Sequence, residues 1–521
     1  MIDILMSELD FDYELKALVK NFFPGQIVKV KEFKEDDISV EKDSLIIDIK
    51  LSQFNITVCI MTKSFSIKQK AFVTGDDDWH KHIDKSTHTY RTYYKNVLKK
   101  MVFMLLKDFP EDMLPEGMVK YLPAWGTMTG VRPIKIVMDN ILKNGSIYDV
   151  RCSLENEYCL NKEKAEFAIE IALREAKILK ERDYENDYSL YIGIPFCPTT
   201  CLYCSFTSYP FKEYLADAYI DALIKEIKYS SQIFKNKKLS SVYIGGGTPI
   251  SLTLVQLEKL LSALKKYFPI NKLTEFTVEA GRPDSITEEK LKVLYEYGVG
   301  RISVNPQTMQ QKTLDLIGRK HTVRQTEDAF NIARKIGFNN INMDLITGLP
   351  DENESDFADT LSKIEKLNPD SLTIHSLVVK RASKLRDKLQ EQKITDGTKK
   401  ALIMENMFKM GQRFAKEHGY KPYYMYRQKN SEGFFGSTGQ ENTGYAVEGK
   451  ECIYNILIME EKQTILALGA GASTKLYYKD RKQVERIENV KNVNDYIERI
   501  GEMIGRKKSI YGRLYKENYG K

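Results

Sequence analysis

The central part of the chain, residues 189–380, is predicted to have an α/β fold built on parallel strands. Short apolar segments rich in β-branched residues alternate there with longer segments of helical periodicity. The strand-like segments, in order, are SLYIGIPF, SVYIGGG, EFTVEAG, RISVNPQ, NINMDLI and SLTIHSL. Because strand–helix alternation repeated six times implies parallel strands with right-handed crossovers, we expect a partial (β/α)6 barrel. A doubly wound sheet is the alternative, since periodicity alone does not separate the two.

An α+β domain, residues 1–160, is predicted before this central part. Between Lys29 and Val73, the segments SLIIDIKL and FNITVCIMT alternate apolar and polar residues, which is typical of half-buried antiparallel strands. One helix is expected over Thr87–Phe109, and a connecting helix with a linker is expected over residues 161–188. Residues 381–521 are predicted to form a C-terminal α+β extension.

Composition indicates a globular protein of the cytoplasm. The 521 residues are 42% hydrophobic and 29% charged, as in soluble proteins, and the net charge is +7. So diluted a charge gives no reason to expect nucleic acid as a partner. No apolar run reaches the length of a membrane span, and the acidic start MIDILMSELDFDYELK lacks the layout of a secretion signal. Seven cysteines in such a chain point to a reducing cytosol and not to disulfides.

Unusual residues recur at or near the predicted carboxyl ends of the strands, except that Asp344 and His375 lie within the fifth and sixth strands. Three cysteines follow the first strand, and the run GGGTP follows the second. The positions, in chain order, are Cys197, Cys201, Cys204, Gly245, Gly246, Gly247, Thr248, Glu279, Gln307, Asp344 and His375. Parallel α/β folds form their sites at this edge of the sheet, so we expect these residues to converge on one functional site.

The three cysteines lie within the segment YIGIPFCPTTCLYCSF, with the spacing CxxxCxxC. This spacing departs from the paired CxxC motifs of structural zinc, and the next cysteine along the chain is the distant Cys452. Three thiolates from one loop can hold three irons of a [4Fe–4S] cluster and leave the fourth iron open to another ligand. Zinc with a distant fourth ligand is the alternative. The remaining cysteines are interpreted as small hydrophobic residues.

The run GGGTP, Gly245–Pro249, predicts that a ligand approaches the backbone closely, because glycines carry no Cβ. A phosphate loop is the rival interpretation. The motif GxxxxGK[ST] is missing, however, and Pro249 has no amide to donate to a phosphate. A ligand with the ammonium and carboxylate groups of an amino acid therefore suits this turn better.

As a set, these motifs resemble those of the radical S-adenosylmethionine (SAM) enzymes. YIGIPFCPTTCLYCSF, GGGTP, NPQTMQQKTLDLIGRKHT and NMDLITGLPDE are similar, in this order, to segments of the oxygen-independent coproporphyrinogen III dehydrogenase family. PYYMYRQKN, GKECIYNILIMEEKQTILALGAGASTK and the additional N-terminal domain resemble its HemZ branch. The resemblance covers roughly Tyr191–Lys475, and it implies a radical SAM barrel with residues 381–521 on the substrate side.

The resemblance implies a [4Fe–4S] cluster and SAM as cofactors. The implied ligands of three irons are Cys197, Cys201 and Cys204, and SAM would chelate the fourth iron. The residues expected to contact SAM are Tyr191, Tyr203, Gly246, Gly247, Thr248, Glu279, Gln307, Arg319, Asp344 and Val378. Glu279 would face charged groups of SAM, and Arg319 would pair with its carboxylate. Tyr191 and Glu279 are the expected catalytic residues.

For the reaction, the resemblance implies an electron from a flavodoxin or ferredoxin and hydrogen abstraction from the propionate arms of coproporphyrinogen III. Loss of CO₂ would then leave vinyl groups, a step of haem biosynthesis. Tyr423, Tyr424, Tyr426 and Arg427 are candidates for contacting the tetrapyrrole, although core packing explains the tyrosines equally well.

Two positions depart from the decarboxylating members of the family. Phe206 stands where those enzymes carry a further cysteine, and Gly193 stands where they carry a histidine. Phe206 is typical of a related branch of haem chaperones, so haem binding and transfer is an alternative function. Reductive opening of the haem ring is a third interpretation.

Overall fold

The computed structural model describes most of the chain. The described residues are 1–32, 44–52, 54–73, 88–143, 145–204, 208–378, 385, 397–428 and 441–516. The chain divides into two compact units. The first unit contains Met1–Leu173, Leu389–Leu402 and Tyr426–Glu441, and the second contains Arg174–Lys388, Ile403–Met425 and Asn442–Lys521.

The first unit contains a five-stranded sheet packed against helices. Its strands are β1 (Ile2–Met6), β2 (Val28–Glu32), β3 (Leu45–Leu51), β4 (Asn55–Met61) and β5 (Ser66–Phe72). Its helices are α1 (Asp12–Phe22), α2 (His88–Asp108), α3 (Pro133–Leu142), α4 (Ile147–Asn156) and the first part of α5 (Lys162–Lys180), with a 3₁₀ turn at Glu111–Met113. The strand order is β2-β1-β3-β4-β5. Apolar side chains of the sheet, α1 and α2 form its core.

The sheet of the first unit is mixed, which corrects the expectation of antiparallel strands alone. β3 and β4 pair in antiparallel fashion as expected, but β1 runs parallel to both β2 and β3. Sequence periodicity misses β1, because IDILM is short and has no regular alternation. The helix predicted over Thr87–Phe109 is confirmed as α2, which ends one residue earlier, and Thr87 lies outside the described residues. Helix α5 occupies Lys162–Lys180 of the segment 161–188, where a connecting helix with a linker is expected.

Thirteen further strands occur in the part of the chain that the structure describes, and they belong to the second unit except for the last two residues of β14 and the first residue of β15. They are β6 (Tyr188–Ile194), β7 (Phe196–Cys197), β8 (Tyr209–Pro210), β9 (Leu239–Gly246), β10 (Glu275–Gly281), β11 (Arg301–Val304), β12 (Ile341–Thr347), β13 (Ser371–Ser376), β14 (Lys421–Arg427), β15 (Glu441–Ala446), β16 (Thr464–Leu468), β17 (Ser473–Tyr478) and β18 (Gln483–Glu488). β7 and β8 form a separate two-stranded ladder, and the others form one sheet.

Helices connect these strands, and the last two helices follow β18. They are α6 (Glu213–Ser230), α7 (Leu254–Tyr267), α8 (Glu288–Glu296), α9 (Gln311–Leu316), α10 (Val323–Ile336), α11 (Glu354–Leu367), α12 (Gly397–Glu417), α13 (Ile453–Glu460), α14 (Val493–Glu498) and α15 (Ile500–Lys516). Single 3₁₀ turns occur at Pro249–Ser251, Ile270–Lys272 and Pro283–Ser285. Helices α7, α10 and α11 each begin with a capping box, which satisfies amides of the first turn. Across the described ranges, no helix combines the length and the hydropathy of a membrane span.

Sequential parallel strands form the centre of the large sheet. β6, β9, β10, β11, β12 and β13 are neighbours in the order in which they follow along the chain. A doubly wound sheet would reverse its strand order at a switch point, and no reversal occurs within these six strands. The singly wound order of a partial (β/α)6 barrel is therefore confirmed, with β14 and β18 as the edges of an open sheet.

C-terminal strands extend the sheet on both sides. β16 pairs in parallel with β6, and β15 pairs in antiparallel fashion with β13. The first parallel strand, β6, therefore has a neighbour on each side, one of which comes from the far end of the sequence. This explains why β6 is buried along nearly its whole length.

A buried polar network fixes the loop that follows β16. Glu226 on α6 accepts hydrogen bonds from the Gly469 N–H at 2.9 Å and from the Asn489 amide at 2.8 Å. The Tyr496 hydroxyl donates to the same carboxylate at 2.6 Å. The Lys507 ammonium lies 3.7 Å from it, and both side chains are fully buried. A buried charge pair with this many hydrogen bonds holds the loop in a single arrangement.

The substitution Gly469→Ala should destabilise the protein strongly. Gly469 has a φ of +104°, and a Cβ there would lie 2.5 Å from the Tyr219 hydroxyl and 2.6 Å from the Gly193 carbonyl oxygen. Backbone strain and a clash inside a packed network predict a loss of roughly 2–4 kcal/mol in the free energy of unfolding. Urea denaturation of the full chain measures this loss.

Gly505→Ala is the matched control, because Gly505 lies in α15 and nothing approaches its Cβ position within 4 Å. Alanine is the better helix former, so this variant should be unchanged or up to about 1 kcal/mol more stable. Equal losses in the two variants would contradict the role given to the loop.

Candidate functional site

The glycine run after β9 lies directly against the chain that leaves β6. The two strands are parallel, with Ile194 opposite Gly246. The Gly247 N–H donates to the Ile194 carbonyl at 2.7 Å. The Thr248 N–H donates to the Phe196 carbonyl, also at 2.7 Å. Because a Cβ on Gly247 would lie 2.6 Å from the Phe196 carbonyl oxygen, only glycine permits this approach.

The three clustered cysteines lie on the loop that leaves β6, which we call the thiol loop (Cys197–Cys204). Cys197 ends β7, and the Thr248 hydroxyl donates to its Sγ at 3.5 Å. Cys201 and Cys204 share a turn in which the Cys204 N–H donates to the Cys201 carbonyl at 3.2 Å. All three are half-buried thiols. Burial raises the pKa of the Cys197 thiol, and the Thr248 and Ser208 hydroxyls oppose this shift by hydrogen bonding.

The donors around the thiol loop suit an iron–sulfur cluster. Among the described residues, no three Cys, His, Asp or Glu side chains are arranged as a ready-made metal site. Three thiols on one short loop nevertheless provide the soft ligands that such a cluster prefers. Donors already face two sulfur atoms, because Arg282 Nη1 lies 3.6 Å from Cys201 Sγ and Thr248 contacts Cys197. The three thiols and the donors beside them fit a [4Fe–4S] cluster.

Glu279 is a half-buried carboxylate of the site. It lies on β10 and accepts a hydrogen bond from the Tyr243 hydroxyl at 2.5 Å and another from the Gly246 N–H at 3.3 Å. Burial raises the pKa of Glu279 to about 7, although both hydrogen bonds oppose the rise. This carboxyl group therefore exchanges between its charged and neutral forms near neutral pH.

Three tyrosines form a stack beside Glu279. The Tyr243 ring lies 4.5 Å from the Tyr454 ring and 6.3 Å from the Tyr191 ring, with small interplanar angles. Sequence reasoning identifies Tyr191 but misses the other two. Alternation along β9 puts Tyr243 on the same face as Gly245, which is a signal that could have revealed it. No local signal points to Tyr454, which comes from the distant helix α13.

Tyr454 is held in place by Glu275 at the start of β10. The Glu275 carboxylate accepts hydrogen bonds from the N–H groups of Ile453 at 2.6 Å and Tyr454 at 3.2 Å, which begin α13. The Cys452 thiol also donates to it at 3.5 Å. A carboxylate at a helix N-terminus satisfies amides that have no partner within the helix. Strand β10 therefore carries both Glu279 and the anchor of the helix that bears Tyr454.

Arg319 ties the thiol loop to the segment after β11. Its Nη1 donates to the Tyr203 hydroxyl at 2.9 Å, and its Nη2 donates to the Asn305 carbonyl at 2.7 Å. Tyr203 stands between two of the cysteines, so this bond fixes the second half of the loop. His321 is fully buried next to Arg319. Burial and the positive charge of Arg319 lower the pKa of His321 to about 3, so its imidazole is neutral.

Gln307 follows β11 and Asp344 lies within β12, and a backbone hydrogen bond joins the two residues. The Gln307 N–H donates to the Asp344 carbonyl at 2.9 Å, and Gln307 has a φ of +70°, which is unusual for a residue with a side chain. The Asp344 carboxylate accepts a hydrogen bond from Asn342 at 2.7 Å and lies 3.9 Å from His375 Nε2. Burial alone would raise the pKa of Asp344, but the hydrogen bonds it accepts outweigh burial and lower the pKa.

Other predicted contacts are buried. Val378 follows β13 at the same edge of the sheet. Tyr423 and Tyr424 have buried rings 5.0 Å apart, which favours core packing over contact with a tetrapyrrole. Arg427 belongs to the first unit, where its guanidinium donates to the Met128 carbonyl. Its hydrogen-bonding capacity is therefore already used in part by the protein.

A cavity of about 750 Å³ lies at the opposite edge of the sheet, around the starts of β10 and β11. Glu275 and Arg301 line it together with Lys265, Glu296 and Lys450. None of the predicted site residues lines this cavity. Because parallel α/β folds carry their chemistry at the carboxyl ends of the strands, the edge with the thiol loop is the candidate functional site.

A thiol loop, a glycine turn and a half-buried carboxylate lie together near the ends of sequential parallel strands, and this combination indicates the class of protein. The family model of the Radical SAM superfamily matches residues 191–364. Within that class, the chain is 37% identical over 432 residues to the oxygen-independent coproporphyrinogen-III oxidase-like protein HemZ of Bacillus subtilis. This alignment covers 82% of the chain and 83% of HemZ. The chain belongs to the family of oxygen-independent coproporphyrinogen III oxidase-like proteins, as its motifs predict.

Two further proteins are similar to parts of the chain. The heme chaperone HemW of Bacillus subtilis is 38% identical over 192 residues, which cover 37% of this chain and 50% of HemW. The solved structure of the coproporphyrinogen III oxidase HemN from Escherichia coli matches with a TM-score of 0.49 and 24% identity, covering 64% of this chain and 73% of that chain. Membership in the superfamily implies SAM and a [4Fe–4S] cluster as cofactors.

The substitution Glu275→Gln should loosen the anchoring of α13. A neutral amide offers one acceptor oxygen where the carboxylate offers two charged ones, so part of the hydrogen bonding to Ile453 and Tyr454 is lost. Loss of buried, charge-assisted hydrogen bonds predicts a fall of roughly 1–3 kcal/mol in the free energy of unfolding. Urea denaturation followed by tyrosine fluorescence measures it.

Glu448→Gln is the matched control for this substitution. Glu448 pairs with Lys177 at 2.9 Å, but both side chains are largely exposed, so little stability should be lost. The same small change at both positions would argue against an anchoring role for Glu275.

Proposed function

We propose that the chain is a radical SAM enzyme that decarboxylates the propionate side chains of coproporphyrinogen III to vinyl groups. The observation that carries the proposal is the contact network that joins the thiol loop, the GGGTP turn and the half-buried Glu279. Membership in the HemZ family supports the substrate class. We place the reaction in the cytoplasm, with a flavodoxin or ferredoxin as the electron donor.

The thiol loop would hold the cluster. Cys197, Cys201 and Cys204 would ligate three irons, which leaves the fourth iron for SAM. When bound, the two cofactors supply an organic radical that abstracts hydrogen from an unactivated carbon. The contribution of the chain is to position the cofactors and the substrate and to keep water away from them.

The GGGTP turn would receive the methionine end of SAM. Gly246 and Gly247 expose backbone without a Cβ, and Thr248 already donates to the thiol loop. Glu279 faces the same turn and, when ionised, would pair with cationic groups of SAM. The 2.5 Å hydrogen bond from Tyr243 orients this carboxylate.

The later strands would bind the remaining polar groups of SAM. Asp344 is ionised at neutral pH because its pKa is lowered, so it can accept hydrogen bonds from the ribose hydroxyls. Arg319 would pair with the carboxylate of SAM while holding Tyr203, which would line the adenosine. Gln307 would bind a further polar group, and the buried Val378 would pack under the adenine.

The substrate step needs hydrogen abstraction at the carbon β to a propionate carboxylate. Loss of CO₂ and of one electron to an acceptor then leaves a vinyl group. Tyr191 and Glu279 are the residues we propose as catalytic, because the Tyr191 hydroxyl and the Glu279 carboxylate both reach Gly246 of the GGGTP turn. Burial raises the pKa of Tyr191, so its hydroxyl stays protonated and can donate a hydrogen bond.

Haem carriage is the second candidate function. The observation that favours it is the match to the heme chaperone HemW at 38% identity. Phe206, which is typical of that branch, lies outside the described residues. The two functions share the thiol loop and SAM, and they differ in the fate of the tetrapyrrole.

Anaerobic turnover should separate the enzyme from the carrier. Reduced protein with SAM and coproporphyrinogen III should release two CO₂ per substrate and form first a mono-vinyl intermediate and then the di-vinyl product, which mass spectrometry detects. A Cys197/Cys201/Cys204 triple alanine variant should lose the brown colour of the cluster and all turnover. Intact coproporphyrinogen together with tight haem binding and transfer would replace this proposal with the carrier function.

Binding of SAM should depend on pH through Glu279. The pKa of Glu279 is raised to about 7, so lowering the pH from 8 to 6 protonates most of the carboxylate. We expect the affinity for SAM to fall about tenfold over this range, because the neutral acid cannot pair with a cation. Isothermal titration of the anaerobically reconstituted protein measures it.

Two variants check this assignment. Glu279→Gln should bind SAM weakly, with an affinity that no longer changes between pH 8 and pH 6. Tyr243→Phe should shift the pH profile upward, because it removes a hydrogen bond that lowers the pKa of Glu279. Tyr295→Phe is the control, since Tyr295 is exposed on α8. An unchanged pH profile in Glu279→Gln would show that another group titrates.

A further inference from the structure

Arg282 is a buried cation that points at the thiol loop. Its side chain is only 4% exposed. The Nη1 atom donates to the Thr199 hydroxyl at 3.1 Å and to the Thr199 carbonyl at 3.4 Å, and it lies 3.6 Å from Cys201 Sγ. Arg282 directly follows β10, so the strand that carries Glu279 also delivers a guanidinium to one of the three clustered thiols.

The orientation of this guanidinium is fixed from behind. Asp284 accepts hydrogen bonds from Nε at 3.1 Å and from Nη2 at 2.7 Å, which leaves Nη1 for the thiol loop. Asp284 itself lies in the 3₁₀ turn Pro283–Ser285, where the Ser285 N–H donates to the Arg282 carbonyl at 3.0 Å. Lys290 holds this turn by donating to the Ser285 carbonyl at 3.3 Å. The donor is therefore positioned before any cofactor binds.

We propose that Arg282 is a positioning residue that sets the reduction potential of the [4Fe–4S] cluster, by donating an N–H to the Cys201 sulfur and placing positive charge beside it. The inference rests on the proposed function, since the cluster must bind at these thiols. A hydrogen bond and a positive charge at a ligating sulfur both stabilise the reduced, more negative cluster. Arg282 therefore raises the potential and makes the cluster easier for the electron donor to reduce.

Asp284 compensates part of the charge of Arg282 from the far side of the guanidinium, but the Nη1 edge faces the sulfur directly. A purely structural link between β10 and the thiol loop would need only the bonds to Thr199, so the test must measure the cluster and not stability alone.

The test is a redox titration of the anaerobically reconstituted full chain without SAM, followed by electron paramagnetic resonance of the reduced cluster. In Arg282→Gln, the ratio of reduced to oxidised cluster at the midpoint potential of the parent should fall about tenfold. For a one-electron couple, a tenfold change corresponds to about 59 mV toward more negative potential. Arg282→Lys keeps the positive charge but lacks the planar guanidinium. The midpoint potential of its cluster should therefore lie between those of the parent and Arg282→Gln.

Arg334→Gln is the matched control. Arg334 also pairs with an aspartate, Asp370 at 2.6 Å, and also donates to a backbone carbonyl, that of Phe338 at 3.1 Å. It lies next to the start of β13, at the edge of the sheet away from the thiol loop. This variant should lose stability and keep the potential of the parent. A shift equal to that of Arg282→Gln would overturn the inference.

Each result has one meaning. A parent protein that binds no cluster refutes the proposed function itself. A parent with four irons and an Arg282→Gln variant whose ratio changes less than twofold refutes only the inference. If Arg282→Gln does not retain the cluster, Thr199→Ala decides, because it removes the hydroxyl that orients Nη1. In Thr199→Ala the ratio of reduced to oxidised cluster should fall two- to threefold, and an unchanged ratio overturns the inference.

Discussion

The desolvated carboxylate of Glu279 is the interaction on which the site depends. Removing such a group from water is costly unless donors replace the lost hydration, and here a tyrosine hydroxyl and a backbone amide do so. Both donors come from β9, so the carboxylate also fixes two neighbouring strands at the end where their loops begin. The tyrosine stack covers this region and restricts the access of water. This burial reduces the stability of the folded state, and it also raises the pKa of the Glu279 carboxyl to about 7.

Strand β10 organises the unit beyond this one residue. Glu275, the first residue of β10, anchors α13. Arg282, which directly follows the last residue of β10, contacts the thiol loop. Glu279 lies between them on the same strand. Because a strand in the middle of a sheet is held on both sides, these groups keep fixed distances from one another. A shift of β10 by one residue would misplace all of them, since alternate residues face opposite sides.

Local patterns in the sequence predict the winding of the sheet and the residues at the strand ends, because period-two and helical repeats depend on near neighbours. The CxxxCxxC spacing and the glycine run identify the thiol loop and the turn beside it in the same way. The sequence does not reveal that Glu275 binds the start of α13, because their contact joins segments far apart in the chain. For the same reason, the sequence predicts neither the position of Tyr454 beside Tyr243 nor the pairing of β16 with β6. Arg427, which looks like a ligand for carboxylates, turns out to donate to a carbonyl of the first unit, and no local pattern indicates this.

The pairing of β6 with β16 has a consequence for synthesis on the ribosome. β6 lies early in the barrel, yet its second neighbour, Thr464–Leu468, emerges only when most of the chain has been translated. Until then β6 is an unpaired apolar edge strand, and such strands are prone to aggregate with other nascent chains. The helix that covers Tyr191 and Tyr243 is also still missing at that stage. During translation, the cysteines of the thiol loop are therefore attached to a sheet that is still incomplete. The order of synthesis favours binding of iron after the last strands have joined the sheet.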